Sequence, residues 1–128
     1  MKALGVVTDE LEATLPLHIP IASGEAELVT AVIDTGFNGY LTLPDDLLHR
    51  AGFSFHSYAQ AELGDGNTVT LRKFEGDVLW YGVRRPVTAL ETNAAPLVGM
   101  AFLAGQRLVV DVAVEGTVSI EPIPETSV

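Results

Sequence analysis

The amino-acid sequence predicts an all-β protein, and three observations lead there. Most of the chain reads as short β-branched runs separated by Gly, Pro, Asn and Asp, the pattern of a compact sandwich or barrel. Pairs suited to tight hairpins, Ser23-Gly24 and Asp65-Gly66, stand between such runs. Helix punctuation is sparse. With 128 residues and 48% apolar composition the chain can bury a core of its own, so a single domain over residues 1–128 is expected.

The elements follow in order. "LPLHIPIA" (15–22) and "AELVTAVI" (26–33) flank Ser23-Gly24 and predict a hairpin whose second strand runs into Asp34. From Pro44 to Gly52 the chain opens with a proline and two acids and closes with a glycine, which predicts a short helix near 45–51. "YAQAELGDGNTVTLRKF" gives two extended runs around Gly64-Asp65-Gly66-Asn67, a protruding hairpin. "GDVLWYGV" and "RRPVTALE" predict another strand pair, with Arg84-Arg85-Pro86 as a solvated turn. Leu97-Val98-Gly99-Met100 is a second apolar run stopped by glycine, and "RLVVDVAV" and "TVSIEPI" close the chain as strands before a frayed "PETSV". Trp80 and Phe102 sit in apolar runs and are expected in the core.

Charge and composition narrow the function. A formal net charge of −10 repels phosphates and anionic lipid, and no basic cluster longer than Arg84-Arg85 interrupts it, so neither nucleic acid nor membrane is an expected partner. Cysteine is absent, which removes disulfides and thiolate metal sites. His18, His49 and His56 lack metal-site spacing, and no metal is expected. The apolar start of "MKALGVVTDE" is too short for a secretory core, and "PLVGMAFLAG" falls far below the roughly 18 residues of a membrane span. A soluble cytoplasmic protein is the expectation.

One stretch, "AVIDTGFNGYLTLP" (31–44), asks for chemistry. It places Asp34 directly after a β-branched strand, and a carboxylate leaving water is costly unless hydrogen-bonded, paired or protonated. An ordinary Asp-Gly turn would also explain it. Asp111 in "LVVDVAV" is a second acid that interrupts a strand, without the Thr-Gly that follows Asp34. It is read as an edge-strand or hydrogen-bonded acid, the rival reading being a second acid that makes a dyad with Asp34 within one chain.

Asp34-Thr35-Gly36 after an apolar strand, Leu41-Thr42-Leu43-Pro44 before a helix, the Gly64-Asp65-Gly66 hairpin and Leu97-Val98-Gly99 before a helical turn together resemble the small single-lobe members of the retropepsin-like aspartic proteases. The resemblance spans most of the chain. It implies a closed retropepsin-like (acid protease) barrel with short helices near 45–51 and 99–105, assembled as a homodimer through strands that include the termini. It implies an aspartic endopeptidase acting on extended peptide or unfolded protein, without cofactor. Such hydrolysis needs one carboxylate to activate water and a second, protonated acid, and like charges about 3 Å apart share one proton. One Asp-Thr-Gly supplies one acid, so the second would be Asp34 of another copy.

The same resemblance gives Thr35 a hydroxyl that bonds across the two-fold axis, and Gly36, lacking a Cβ, lets backbone N–H groups approach and hold the carboxylates. It makes Gly64, Asp65, Gly66 and Asn67 a flap tip over the substrate, although a plain hairpin turn accounts for these four equally well. Leu97-Val98-Gly99 would pack beside the acid-bearing loop. Phe37, where retroviral members commonly carry a small residue, departs from the pattern, and Phe37-Asn38-Gly39-Tyr40 is expected to narrow or reshape the cleft. The alternative function is a catalytically silent homodimeric module that holds an extended peptide in the same cleft by strand addition.

Overall fold

Alternation of side chains sets the first hairpin. In β2 (Ala13–Pro20) Leu15, Leu17 and Ile19 point inward and are buried, while Pro16 and His18 face out. Strand β3 (Ala26–Ile33) pairs with it from Thr14↔Val32 to Pro20↔Ala26, and β1 (Ala3–Val7) pairs with its other edge only at Ala13 and Thr14. Pro16 lies between the part of β2 that meets β1 and the single residue, His18, that meets a later strand. The missing N–H thus falls where the ladder is already interrupted.

The rest of the protein, a computed structural model that describes residues 1–62 and 65–124, grows from this hairpin. A short β4 (Leu41–Leu43) leads through Pro44 into α1 (Asp45–Arg50), whose acids open the first turn and whose Leu47 and Leu48 are buried. Arg50 Nη2 lies 2.7 Å from Glu27 Oε2 and Nη1 lies 3.0 Å from Asp46 Oδ2. These bonds raise the Arg50 guanidinium above its ordinary pKa and hold the Asp46 carboxyl below the usual range. Both pairs are exposed, so they orient the helix on β3 more than they stabilise it.

Strands β5 (Ser54–Glu62) and β6 (Thr68–Trp80) form the long hairpin, and β7 (Val83–Glu91) returns along β6. Then β8 (Leu97–Val98), α2 (Met100–Leu103), β9 (Gln106–Val110) and β10 (Thr117–Pro122) complete the chain. Among the described residues this gives ten strands in one mixed sheet, ordered β5-β6-β7-β4-β8-β3-β2-β1-β10-β9. Six of them, β6-β7-β4-β8-β3-β2, form a ring that His18 opposite Leu79 closes. Leu15, Leu41, Leu48, Val78, Val98 and Phe102 fill its interior.

Three expectations need correction. The segment from Gly76 does not begin a new strand, because β6 runs unbroken for 13 residues to Trp80. The turn falls at Tyr81-Gly82, where φ values of 52° and 76° suit the right-handed twist of a hairpin. Arg84-Arg85-Pro86 therefore lies on β7, not in a solvated turn. Arg85 Nη1 donates to the Phe102 carbonyl at 2.9 Å and its guanidinium stands 4.5 Å from the Phe102 ring centroid, a cation–π contact. Asp111, read as interrupting a strand, follows the end of β9 and is exposed. Its N–H donates to Thr117 O and its own carbonyl accepts from Ala113, so the chain turns there toward β10.

Phe102 is fully buried, and Trp80, half-buried, meets its ring edge-on at 4.9 Å. Thr42 is the buried polar residue of β4, and its Oγ1 accepts the Leu97 N–H at 2.9 Å, joining β4 to β8. Thr42→Val keeps the shape and removes the acceptor. It should cost about 1–3 kcal/mol in urea unfolding, the penalty of a buried amide left unsatisfied, while Thr42→Ser retains most of the stability.

Candidate active site

Parallel pairing carries the acid to its place. Ile33 lies beside Val98 across β3 and β8, and one residue later the Asp34 N–H donates to Val98 O at 2.9 Å. Strand β8 also pairs antiparallel with β4. It thus lies between the two strands that the Asp34–Tyr40 loop connects, and the loop has to arch over its end.

Backbone hydrogen bonds lock that arch. Gly99 N–H donates to Tyr40 O (2.9 Å), Met100 N–H to Phe37 O (2.7 Å) and Ala101 N–H to Gly39 O (3.1 Å). Approach this close leaves no room at residue 99. A Cβ there would run into Gly39 O and would stand 2.6 Å from Phe37 Cδ2 and 2.7 Å from Phe37 O. Leu97-Val98-Gly99 does pack beside the acid-bearing loop.

Within the loop, Gly36 N–H donates to Asp34 Oδ1 at 2.9 Å, and a Cβ on Gly36 would sit 3.2 Å from that same oxygen. Asp34 is half-buried, and among the described residues Oδ2 accepts no hydrogen bond. Thr35 is exposed, and its hydroxyl has no partner among the described residues. Phe37 is half-buried with its ring folded back over Gly39 and Gly99, so its bulk lies along the loop.

A cleft of about 840 Å³ opens at Asp34. Asp34, Gly36 and Phe37 line it from the loop, and Ala59, Ala61 and Lys73 line it from the β5–β6 hairpin. Thr88 and Leu90 of β7 also contribute to it. A second groove of about 510 Å³ shares Tyr40 and Thr88 with the cleft and continues toward Glu75 and Asp77. Extended chain lying in the cleft has both the carboxylate and the hairpin within reach.

Of the four hairpin residues singled out from sequence, three lie among the described residues. Gly64 lies outside the described residues. Asp65, Gly66 and Asn67 form an exposed turn in which Asp65 Oδ1 accepts the Asn67 N–H at 3.0 Å and Oδ2 accepts the Asn67 side-chain amide at 2.9 Å. These bonds, the backbone one foremost, hold the Asp65 carboxyl below the usual range. Among the described residues it is the arm of the hairpin that lines the cleft, while Asp65–Asn67 stand beyond the lining. Asp111 is likewise outside it.

Sequence reasoning missed Ala59, Ala61 and Lys73. The signal was there as alternation. On β5 two alanines recur at spacing two, leaving open space on one face, and on β6 the apolar series Val69, Leu71 breaks at Lys73 on that same face.

Gly99→Ala should displace the arch through the clash with Gly39 O and Phe37. The expected outcome is a loss of about 1–3 kcal/mol in urea unfolding, the usual cost of overpacking, accompanied by faster amide exchange at Met100 and Ala101, whose N–H groups hold the loop. Set against protein-family models, curated proteins and solved structures, the chain matches none.

Proposed function

We propose that the protein is an aspartic endopeptidase that works as a homodimer, Asp34 of one copy facing Asp34 of the other across a two-fold axis. The observation that carries the reading is the setting of Asp34: a half-buried carboxylate on a rigid arch, one oxygen held by Gly36 and the other open, in a cleft shared with a long hairpin. In this reading the six-strand ring is the barrel of a retropepsin-like fold.

The chemistry follows from two acids that own one proton. The ionised carboxylate takes a proton from water as the water oxygen attacks the peptide carbonyl carbon, and the protonated carboxyl hydrogen-bonds and then protonates the carbonyl oxygen. Collapse of the tetrahedral diol breaks the C–N bond as one carboxyl proton passes to the leaving nitrogen and a diol hydroxyl proton passes to the other carboxylate, which restores the pair with its single proton. No cofactor enters the scheme. The exposed hydroxyl of Thr35 is free to bond across the axis, and the hairpin arm offers backbone to an extended substrate.

An outward apolar face on the terminal strands suits the second copy. Leu4 and Val109 are exposed, and both lie beside Ser119 of β10, so they stand on one side of the sheet with Val6 two residues along. The opposite side of β10 buries Val118 and Ile120. A face this apolar on the outer sheet is expected to be covered in the active assembly.

Asp34→Asn keeps an oxygen to accept the Gly36 N–H, so folding should persist while hydrolysis of an unfolded-protein substrate falls about 10²–10⁴-fold. Retained cleavage overturns the reading. Peptide binding by the wild type without cleavage, at any acidic to neutral pH, shows the silent peptide-binding module instead.

Wild-type kcat/KM should fall at low pH, where both acids are protonated, and again at high pH, where neither keeps its proton. A pH-rate profile flat from acid to neutral rejects a shared-proton pair. Sedimentation should give a dimer, which Leu4→Glu together with Val109→Glu disperses along with the activity.

A further inference from the structure

Seven basic side chains face seventeen acidic ones in this chain, and most are engaged. Arg50, Arg72, Arg84 and Arg107 each pair with a carboxylate, and Arg85 is held by the Phe102 carbonyl and ring. Two lysines remain. Lys2 is exposed near the N-terminus, whereas Lys73 is half-buried and lines the cleft with Asp34. Among the described residues no carboxylate comes within 4.0 Å of the Lys73 ammonium group.

An unpaired cation is not what this sheet needs for stability. Lys73 pairs with Ser57 on β5 and Leu90 on β7, on the sheet face away from Phe74, which is buried in the core. The stem of the side chain can lie along Leu90, and among the described residues its head has no hydrogen-bond or ion-pair partner. A charge in a cleft partly walled off from water acts over its surroundings more strongly than one in open water. Glu62, five residues along β5 from Ser57, lines the cleft with its backbone and turns its carboxylate to the opposite face of the hairpin.

We propose that Lys73 is a specificity-determining residue of the cleft, which selects extended peptides that carry a carboxylate side chain at the position lying against the base of the β5–β6 hairpin. The proposal rests on the peptide-cleft reading above. It names its substrate class: peptides acidic at the one position that meets Lys73. The net charge of −10 opposes acidic peptides in general, so the preference is local to Lys73.

Binding separates this proposal from hydrolysis. The test uses full-length Asp34→Asn protein and short extended peptides with an apolar centre, each made in Glu, Gln and Lys versions at every flanking position in turn. At one position the Glu version should bind about tenfold more tightly than the Gln version. Lys73→Gln should abolish that difference, and Lys73→Glu should shift the preference to the Lys version. Lys2→Gln changes net charge by the same amount and should leave the preference intact. A profile in Lys73→Glu equal to that of the parent, loss of preference in Lys2→Gln to the same extent as in Lys73→Gln, or no binding of any peptide overturns the proposal. Wild-type protein incubated with the same peptides reports on hydrolysis alone, since binding that follows Lys73 without cleavage leaves the specificity role standing and removes the protease.

Discussion

The structure depends on one exchange of backbone hydrogen bonds, that between the Asp34–Tyr40 loop and the Val98–Ala101 segment. Four N–H groups and four carbonyls that would otherwise face a tight corner without partners satisfy one another there. The exchange is possible because residue 99 has no side chain and because β8 runs parallel to β3, bringing both segments to the same end of the sheet. The acid is held by main chain, so its position follows from the fold and not from neighbouring side chains that can change rotamer.

Around that clamp the ring distributes its tasks unequally. Strands β2, β3, β4 and β8 bury the core and support the loop, and Thr42 ties β4 to β8 where the clamp begins. The contact between β2 and β6 is a single residue pair, which leaves β5 and the distal part of β6 to extend past the ring. That extension creates the cleft: a hairpin arm with alanines on one face stands over an acid that cannot retreat. The second groove past Tyr40 and Thr88 lengthens the same surface.

Much of this was legible one residue at a time. The strand 26–33, the helix after Pro44 and the Asp65-Gly66 hairpin follow from alternation, proline and glycine, all local in their physics. The position of Leu97-Val98-Gly99 beside Asp34 was legible through resemblance, because an apolar pair stopped by glycine has no local reason to meet an acid sixty-odd residues earlier. The turn at Tyr81-Gly82 was missed since tyrosine is an uncommon left-handed residue and Arg84-Arg85-Pro86 looked more polar. Arg85 is half-buried for a reason no neighbour in sequence reveals, the face of Phe102 and its carbonyl. Lys73 looked like one more solvated charge in "TLRKF" until pairing placed it on the face of the cleft.

By itself the sequence determined the β-rich class, the strand and helix sites set by local alternation and punctuation, the excess of negative charge, and a single acid of unusual setting. Only the tertiary structure decided which strands become neighbours, that among the described residues the arm of the hairpin lines the cleft and its Asp65–Asn67 turn does not, and which lysine stands there. The division has a physical cause. Backbone preference and amphipathic period act over a few residues, whereas the partners of Asp34, Gly99, Arg85 and Lys73 come from distant segments that meet only when the core closes.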